Sequence, residues 1–115
     1  MAKVLVIDDE QSIRTLMVAI LEDEGHEVLQ AADGYQGLDV LESETPDIVI
    51  LDIMMPGIDG RETYRRIRER PHLEHIPVIM VSAGAYGAPE TVNAFMRKPF
   101  NLSDFLATLD RVLSA

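Results

Sequence analysis

An α/β fold built on a parallel sheet with helices on both faces is expected from two features of the chain. Short runs of consecutive apolar residues alternate with amphipathic stretches, and the central runs have no polar side. A sheet with one wet face would alternate apolar and polar residues. Strands apolar throughout belong to parallel sheets covered on both sides.

The elements follow in order. Val4–Ile7 is a continuous apolar run, a strand buried on both faces. Ile13, Leu16, Met17, Ile20 and Leu21 then recur at three- and four-residue spacing, which predicts a helix with one apolar stripe, ended by Gly25. Glu27–Ala31 is a weaker strand, and Asp33-Gly34 opens a helix carrying Leu38 and Leu41. Pro46 breaks the chain before the apolar strand 48–51. Asp59-Gly60 starts a third helix, with Tyr64 and Ile67 inward and arginines outward, stopped by Pro71. Residues 78–81 and 94–96 read as the remaining strands. Asn101 caps a last helix whose stripe is Leu102, Phe105, Leu106, Leu109, Val112 and Leu113.

Composition narrows the function. A length of 115 residues predicts one domain, 1–115, with no output domain attached. At 47% hydrophobic and 26% charged, the chain can bury a core. Absence of cysteine excludes disulfides, thiolate metal sites and a cysteine nucleophile. The apolar run after Met1-Ala2-Lys3 is too short for a signal peptide, and no stretch approaches the roughly 18 apolar residues of a membrane span. A cytoplasmic protein without membrane contact is therefore expected. A net charge of −10 repels nucleic-acid phosphates and argues against direct DNA or RNA binding. That charge is uneven: residues 1–52 hold thirteen acids and two bases, whereas 53–115 hold seven acids and eight bases.

Three of those acids stand where a parallel α/β sheet keeps its ligand site, beyond the carboxyl ends of the strands. Asp8 and Asp9 follow the first strand, and Asp52 follows the strand 48–51. If those strands are neighbours, three carboxylates share one small volume, which disfavours their ionisation unless a cation joins them. A hard cation that prefers oxygen ligands, Mg2+ above all, resolves this and keeps positions open for a phosphate. Ser82 after the strand 78–81 and Lys98 after the last strand add a hydroxyl and an ammonium to the same edge. Acids, metal, hydroxyl and ammonium are the parts that accept a phosphoryl group and stabilise its oxygens.

With these residues in view, the sequence resembles the receiver domains of two-component response regulators, the family typified by the chemotaxis protein CheY. The matching stretches are Val4–Glu10, Asp47–Gly60, Pro77–Ala83 and Lys98–Phe100, four motifs in order across essentially the whole chain. The resemblance implies a three-layer, doubly wound, five-stranded parallel sheet of order 2-1-3-4-5, and a signalling switch rather than an enzyme acting on a separate substrate. It implies that Asp52 is the phosphoacceptor, taking its phosphoryl group from a sensor histidine kinase or a histidine phosphotransfer protein. Asp9, Asp52 and the Met54 backbone carbonyl would bind Mg2+ directly, and Asp8 largely through water. Ser82 would hydrogen-bond one phosphoryl oxygen and Lys98 neutralise another, with the Lys98–Pro99 bond cis. Phe95 matches the switch aromatic that works with Ser82, although tyrosine is commoner there, so a hydroxyl-dependent readout is lost. The signal would pass to a downstream effector protein, or the phosphate would be relayed onward.

One stretch departs from the family pattern. Ser82 to Lys98 is shorter than usual by about one and a half helical turns, and Gly84, Gly87 and Pro89 are poor helix residues. A fourth helix absent or reduced to a turn is expected there, against the alternative of a two-turn helix from Pro89. The apolar surface so uncovered near Phe95 would serve a partner or a homodimer through the region 84–113. Other signals are weaker. His72 and His75 lie in a loop without further ligands nearby, and His26 belongs to the turn before the second strand. Neither a P-loop nor a G-x-G-x-x-G fingerprint is present. Arg61, Arg65, Arg66 and Arg68 read as a solvated face, or otherwise as a dock for an acidic partner. An aspartyl-nucleophile phosphohydrolase on a similar fold would carry a second aspartate two residues after Asp52, where this chain has Met54. A receiver-like module without chemistry is disfavoured by the five intact site residues.

Overall fold

Apolar runs of even spacing divide their side chains between two faces, and the computed structural model shows where each set goes. It describes residues 1–84, 88–89 and 91–115. The elements are β1 (Lys3–Ile7), α1 (Gln11–Asp23), β2 (Glu27–Ala31), α2 (Gly34–Ser43), β3 (Ile48–Asp52), α3 (Gly60–Arg68), β4 (Val78–Ser82), β5 (Ala94–Arg97) and α4 (Leu102–Leu113). All strand pairs are parallel, and the sheet order is β2-β1-β3-β4-β5. Leu5, Ile7, Val49, Leu51, Val78 and Met80 point to one face, where Leu38 and Leu41 of α2 and Tyr64 and Ile67 of α3 cover them. Their neighbours Val4, Val6, Ile48, Ile50, Ile79 and Val81 point to the other, under Met17 and Leu21 of α1 and Phe105, Leu109 and Val112 of α4. The period of two along each strand thus makes two cores from one sheet.

The weak pattern of β2 reflects its position at the sheet edge, where Glu27 and Gln30 are exposed. Helix starts obey local chemistry: Asp33, Asp59 and Asn101 accept the backbone N–H of Gln36, Glu62 and Asp104, three residues on. Two stripe residues do not enter the core. Leu16 and Leu102 are 57% and 52% exposed, because each lies at the margin of its helix and lines an apolar groove between α1 and α4.

The arginines of α3 depart from the reading of a uniformly solvated face. Arg65 and Arg66 pair with Glu62, and Arg65 also with Glu69. Arg66 lies 5.7 Å from the centre of the Tyr35 ring on α2. Arg68 turns inward, stacking 4.7 Å above the Tyr64 ring and donating to the Ile76 carbonyl at 2.8 Å. Glycine is needed where helix and sheet approach most closely. A Cβ on Gly60 would sit 2.3 Å from the Asp52 carbonyl oxygen and 2.6 Å from the Ile53 Cα.

The expected loss or shortening of the helix between β4 and β5 concerns residues 83–93, of which 85–87 and 90 lie outside the described residues. Among the described residues of this connection none is helical. Its end is anchored by Asn93, whose side-chain oxygen accepts the Val78 N–H at 2.9 Å, and by a Tyr64–Thr91 hydroxyl pair at 3.0 Å. Ala88 and Val92 pack on the face shared with α2 and α3. Among the described residues no helix is long and apolar enough to cross a membrane.

The close approach at Gly60 sets up a stability test. Gly60→Ala should cost roughly 1–3 kcal/mol or more, because backbone atoms cannot yield to the new methyl. Gly37→Ala should cost less, since its Cβ would meet the Ile7 side chain rather than backbone and alanine favours the helix. Urea unfolding of both variants measures the difference.

Candidate functional site

Parallel register brings the carboxyl ends of four strands to one edge, and the candidate acids, Ser82 and Lys98 lie there. Asp8 follows β1, Asp52 ends β3 and pairs in register with Val81, Ser82 ends β4, and Lys98 follows β5. The β3 and β4 strands each run one residue further than the apolar pattern alone indicates, so Asp52 and Ser82 belong to the sheet itself. Asp8, Asp52 and Ser82 are buried, whereas Asp9 is exposed at the rim.

The three carboxylates converge as the strand order requires. One oxygen from each of Asp8, Asp9 and Asp52 lies within 4.8 Å of the others, which among the described residues is the sole acid or histidine cluster able to hold a metal ion. Lys98 enters from the far side, its Nζ 3.1 Å from Asp8 Oδ2 and 3.7 Å from Asp52 Oδ1. The Lys98–Pro99 bond is cis, and the Lys98 N–H donates to the Ser82 carbonyl at 2.8 Å. Ser82 Oγ accepts the Gly84 N–H at 3.1 Å. Met54 has an exposed side chain, while Ile53, Met55 and Ile58 of the same loop are buried and fix its course.

Burial and like charge tell on Asp52. Removal from water pushes its carboxyl up from 3.8 to about 6; Lys98 opposes the rise, Asp8 adds to it, the Met54 N–H opposes it and Asp9 adds a little. One ammonium does not balance three acids. A divalent cation would, and the donors are all hard oxygens on a partly open rim, which is the chemistry Mg2+ requires. These residues fit that ion.

Phe95 stands apart from the cluster, on the outer strand β5, 38% exposed. His26 accepts the Ala2 N–H, and His72 lies 3.9 Å from Glu42, so neither joins the site. Sequence reasoning missed Arg14, whose Nη1 donates to the Asp8 carbonyl at 2.6 Å.

Residues 4–110 match the family model of the response regulator receiver domain. Protein PilH of Pseudomonas aeruginosa is 32% identical over 99% of both chains. Two further curated relatives are longer, the chain spanning 48% and 36% of their lengths. Among solved structures, the chemotaxis protein CheY4 of Vibrio cholerae superposes with a TM-score of 0.89 at 34% identity, covering 97% of this chain and 98% of that one. The response regulator TrrA of Thermotoga maritima, in complex with Mg2+ and BeF, gives 0.88 at 31% identity, over 97% and 99% of the two chains.

The strained ionisation of Asp52 predicts a stability change of defined sign. Its carboxyl is raised in the folded state, so folding favours the protonated form and this group's contribution falls as pH rises from about 4 through about 6. In metal-free buffer, Asp52→Asn should therefore stabilise the protein at pH 7.5, by about 3 kcal/mol at most, with the gain vanishing towards pH 4. Denaturant unfolding at several pH values checks it. A gain independent of pH would refute the assignment.

Proposed function

The chain belongs to the response regulator receiver domain family, and from that membership we propose that it is a phosphorylation switch of two-component signalling with Asp52 as the acceptor. The observation that carries this reading is the convergence of Asp8, Asp9 and Asp52 on one edge with Lys98 3.7 Å from Asp52. An Asp52 carboxylate oxygen attacks the phosphorus of a phosphohistidine on a kinase or phosphotransfer protein. The new P–O bond forms as the P–N bond breaks, and the imidazole leaves with the electron pair. Asp52 attacks as the carboxylate, so the burial that favours its neutral form has to be offset, by Lys98 and by a bound cation.

The other residues divide the charge of the transferred group. Lys98 is aimed at Asp52 and meets one phosphoryl oxygen, while the Ser82 hydroxyl keeps a free donor for another, since Oγ is an acceptor towards Gly84. Asp9, Asp52 and the Met54 carbonyl would hold Mg2+, with Asp8 acting through water, and the bound ion would supply electrostatic stabilisation of the phosphoryl oxygens. The Mg2+ complex of the Thermotoga relative supports that ligand. Such a protein turns over no separate substrate; it acts in the cytoplasm through contacts with other proteins. Phe95 and the region 84–113 are the surface through which the state of Ser82 and Asp52 would reach an effector or a second copy.

Incubation with a small phosphodonor and Mg2+ should yield a labile acyl phosphate, detected by intact mass and abolished in Asp52→Ala. Chelation should prevent it, and Lys98→Ala should slow it by about 100-fold. Absence of labelling would sink the switch, and rapid turnover of many phosphate esters would favour a hydrolase instead.

A further inference from the structure

Asp8 is held at four points. Its N–H donates to the Ala31 carbonyl at 3.2 Å, its Oδ1 accepts the Glu10 N–H at 2.9 Å, and its Oδ2 faces Lys98 Nζ at 3.1 Å. The fourth bond comes from Arg14 on α1, whose Nη1 reaches back 2.6 Å to the Asp8 carbonyl oxygen. That oxygen belongs to the peptide joining Asp8 to Asp9. Because the peptide is planar, fixing its carbonyl also fixes the direction of the bond to the Asp9 Cα. Asp9 needs such support. It is exposed, and among the described residues no hydrogen bond or ion pair holds its carboxylate.

We propose that Arg14 is a positioning residue for the cation site, setting the Asp8–Asp9 peptide so that the Asp9 carboxylate stays aimed at Asp52. This rests on the reading of Asp8, Asp9 and Asp52 as the Mg2+ site. The guanidinium has two opposed effects on a divalent cation. Its charge repels the ion, while its hydrogen bond preorganises a ligand whose carboxylate has no other partner among the described residues. Outer partners of metal ligands typically change affinity by about 10- to 100-fold, and the Arg14 bond is short and charge-assisted. Positioning therefore outweighs repulsion, and losing the donor weakens binding even though it removes a positive charge.

Matched variants of the whole chain separate the two effects. Arg14→Gln keeps a donor without the charge, Arg14→Lys keeps both, and Arg14→Met keeps only the apolar stem. Mg2+ titration followed by calorimetry and by amide NMR should show Arg14→Met binding about 10-fold more weakly than the parent, with Gln and Lys within about threefold. In the metal-free state the Asp9 amide resonance should move in Arg14→Met and much less in the other two. Met binding as tightly as the parent, or tighter, overturns the proposal, and so does Gln as weak as Met. If Arg14→Met does not fold, Arg14→Leu, which also lacks the donor, takes its place under the same criterion. A parent chain that binds no Mg2+ would instead overturn the reading of the site itself, with Asp9→Asn as the control that separates the cases.

Discussion

One ammonium against three carboxylates is the constraint on which the carboxyl edge of this sheet is built. Lys98 stands 3.1 Å from Asp8 and 3.7 Å from Asp52, both buried, while Asp9 lies at the rim. Unit charges about 4 Å apart interact by ~4 kcal/mol at the effective dielectric of a protein site. Two acids without a counter-charge are therefore a standing cost, visible in the raised carboxyl of Asp52. The fold tolerates it because β1, β3 and β4 are buried over almost their whole length and cannot slide apart. The two cores on either side of the sheet hold the strand ends in place whatever the electrostatics at their tips.

Two loops at that edge, β1–α1 and β3–α3, are held in place for reasons local to each. The β3–α3 loop buries Ile53, Met55 and Ile58 in the core, leaving Met54, Pro56, Gly57 and Asp59 at the surface. Gly60 lets α3 begin against the Asp52 carbonyl, so the helix starts directly under the acceptor strand. On the β1–α1 side, Glu10, Arg14 and Ala31 all bind Asp8. The site is thus carried by backbone set in several places rather than by side chains on a free loop.

Most of this architecture is legible in the sequence. The wholly apolar runs 4–7, 48–51 and 78–81 encode buried parallel strands, and Asp33, Asp59 and Asn101 encode helix starts, because each signal is local. The cluster of Asp8, Asp9, Asp52 and Lys98 is readable too, since a parallel sheet sends all such strand ends to one edge. What escapes is contact between elements. Arg68 reads as one more exposed arginine, yet its partners Ile76 and Asn93 lie beyond its helix. Leu16 and Leu102 satisfy the helical period but fall at the stripe margin, which only the packing of α1 against α4 decides. Arg14 looks like any polar residue in a first helical turn, because nothing in spacing says that its target is a carbonyl six residues earlier.

Asp8 and Lys98 are 90 residues apart in the chain. Strands β2, β1 and β3 are adjacent in the sheet and complete at residue 52, so a ribosome delivers all three carboxylates, within a contiguous half-sheet, well before the lysine. With elongation at roughly 5–20 residues per second, the interval is on the order of seconds. Closing a loop of that length is a late event in folding, since entropy opposes distant contacts most. The nascent segment 1–52, with thirteen acids and two bases, is more acidic than the finished chain at −10. Any pairing of these strands in that interval meets the repulsion of the trio without Lys98 to offset it.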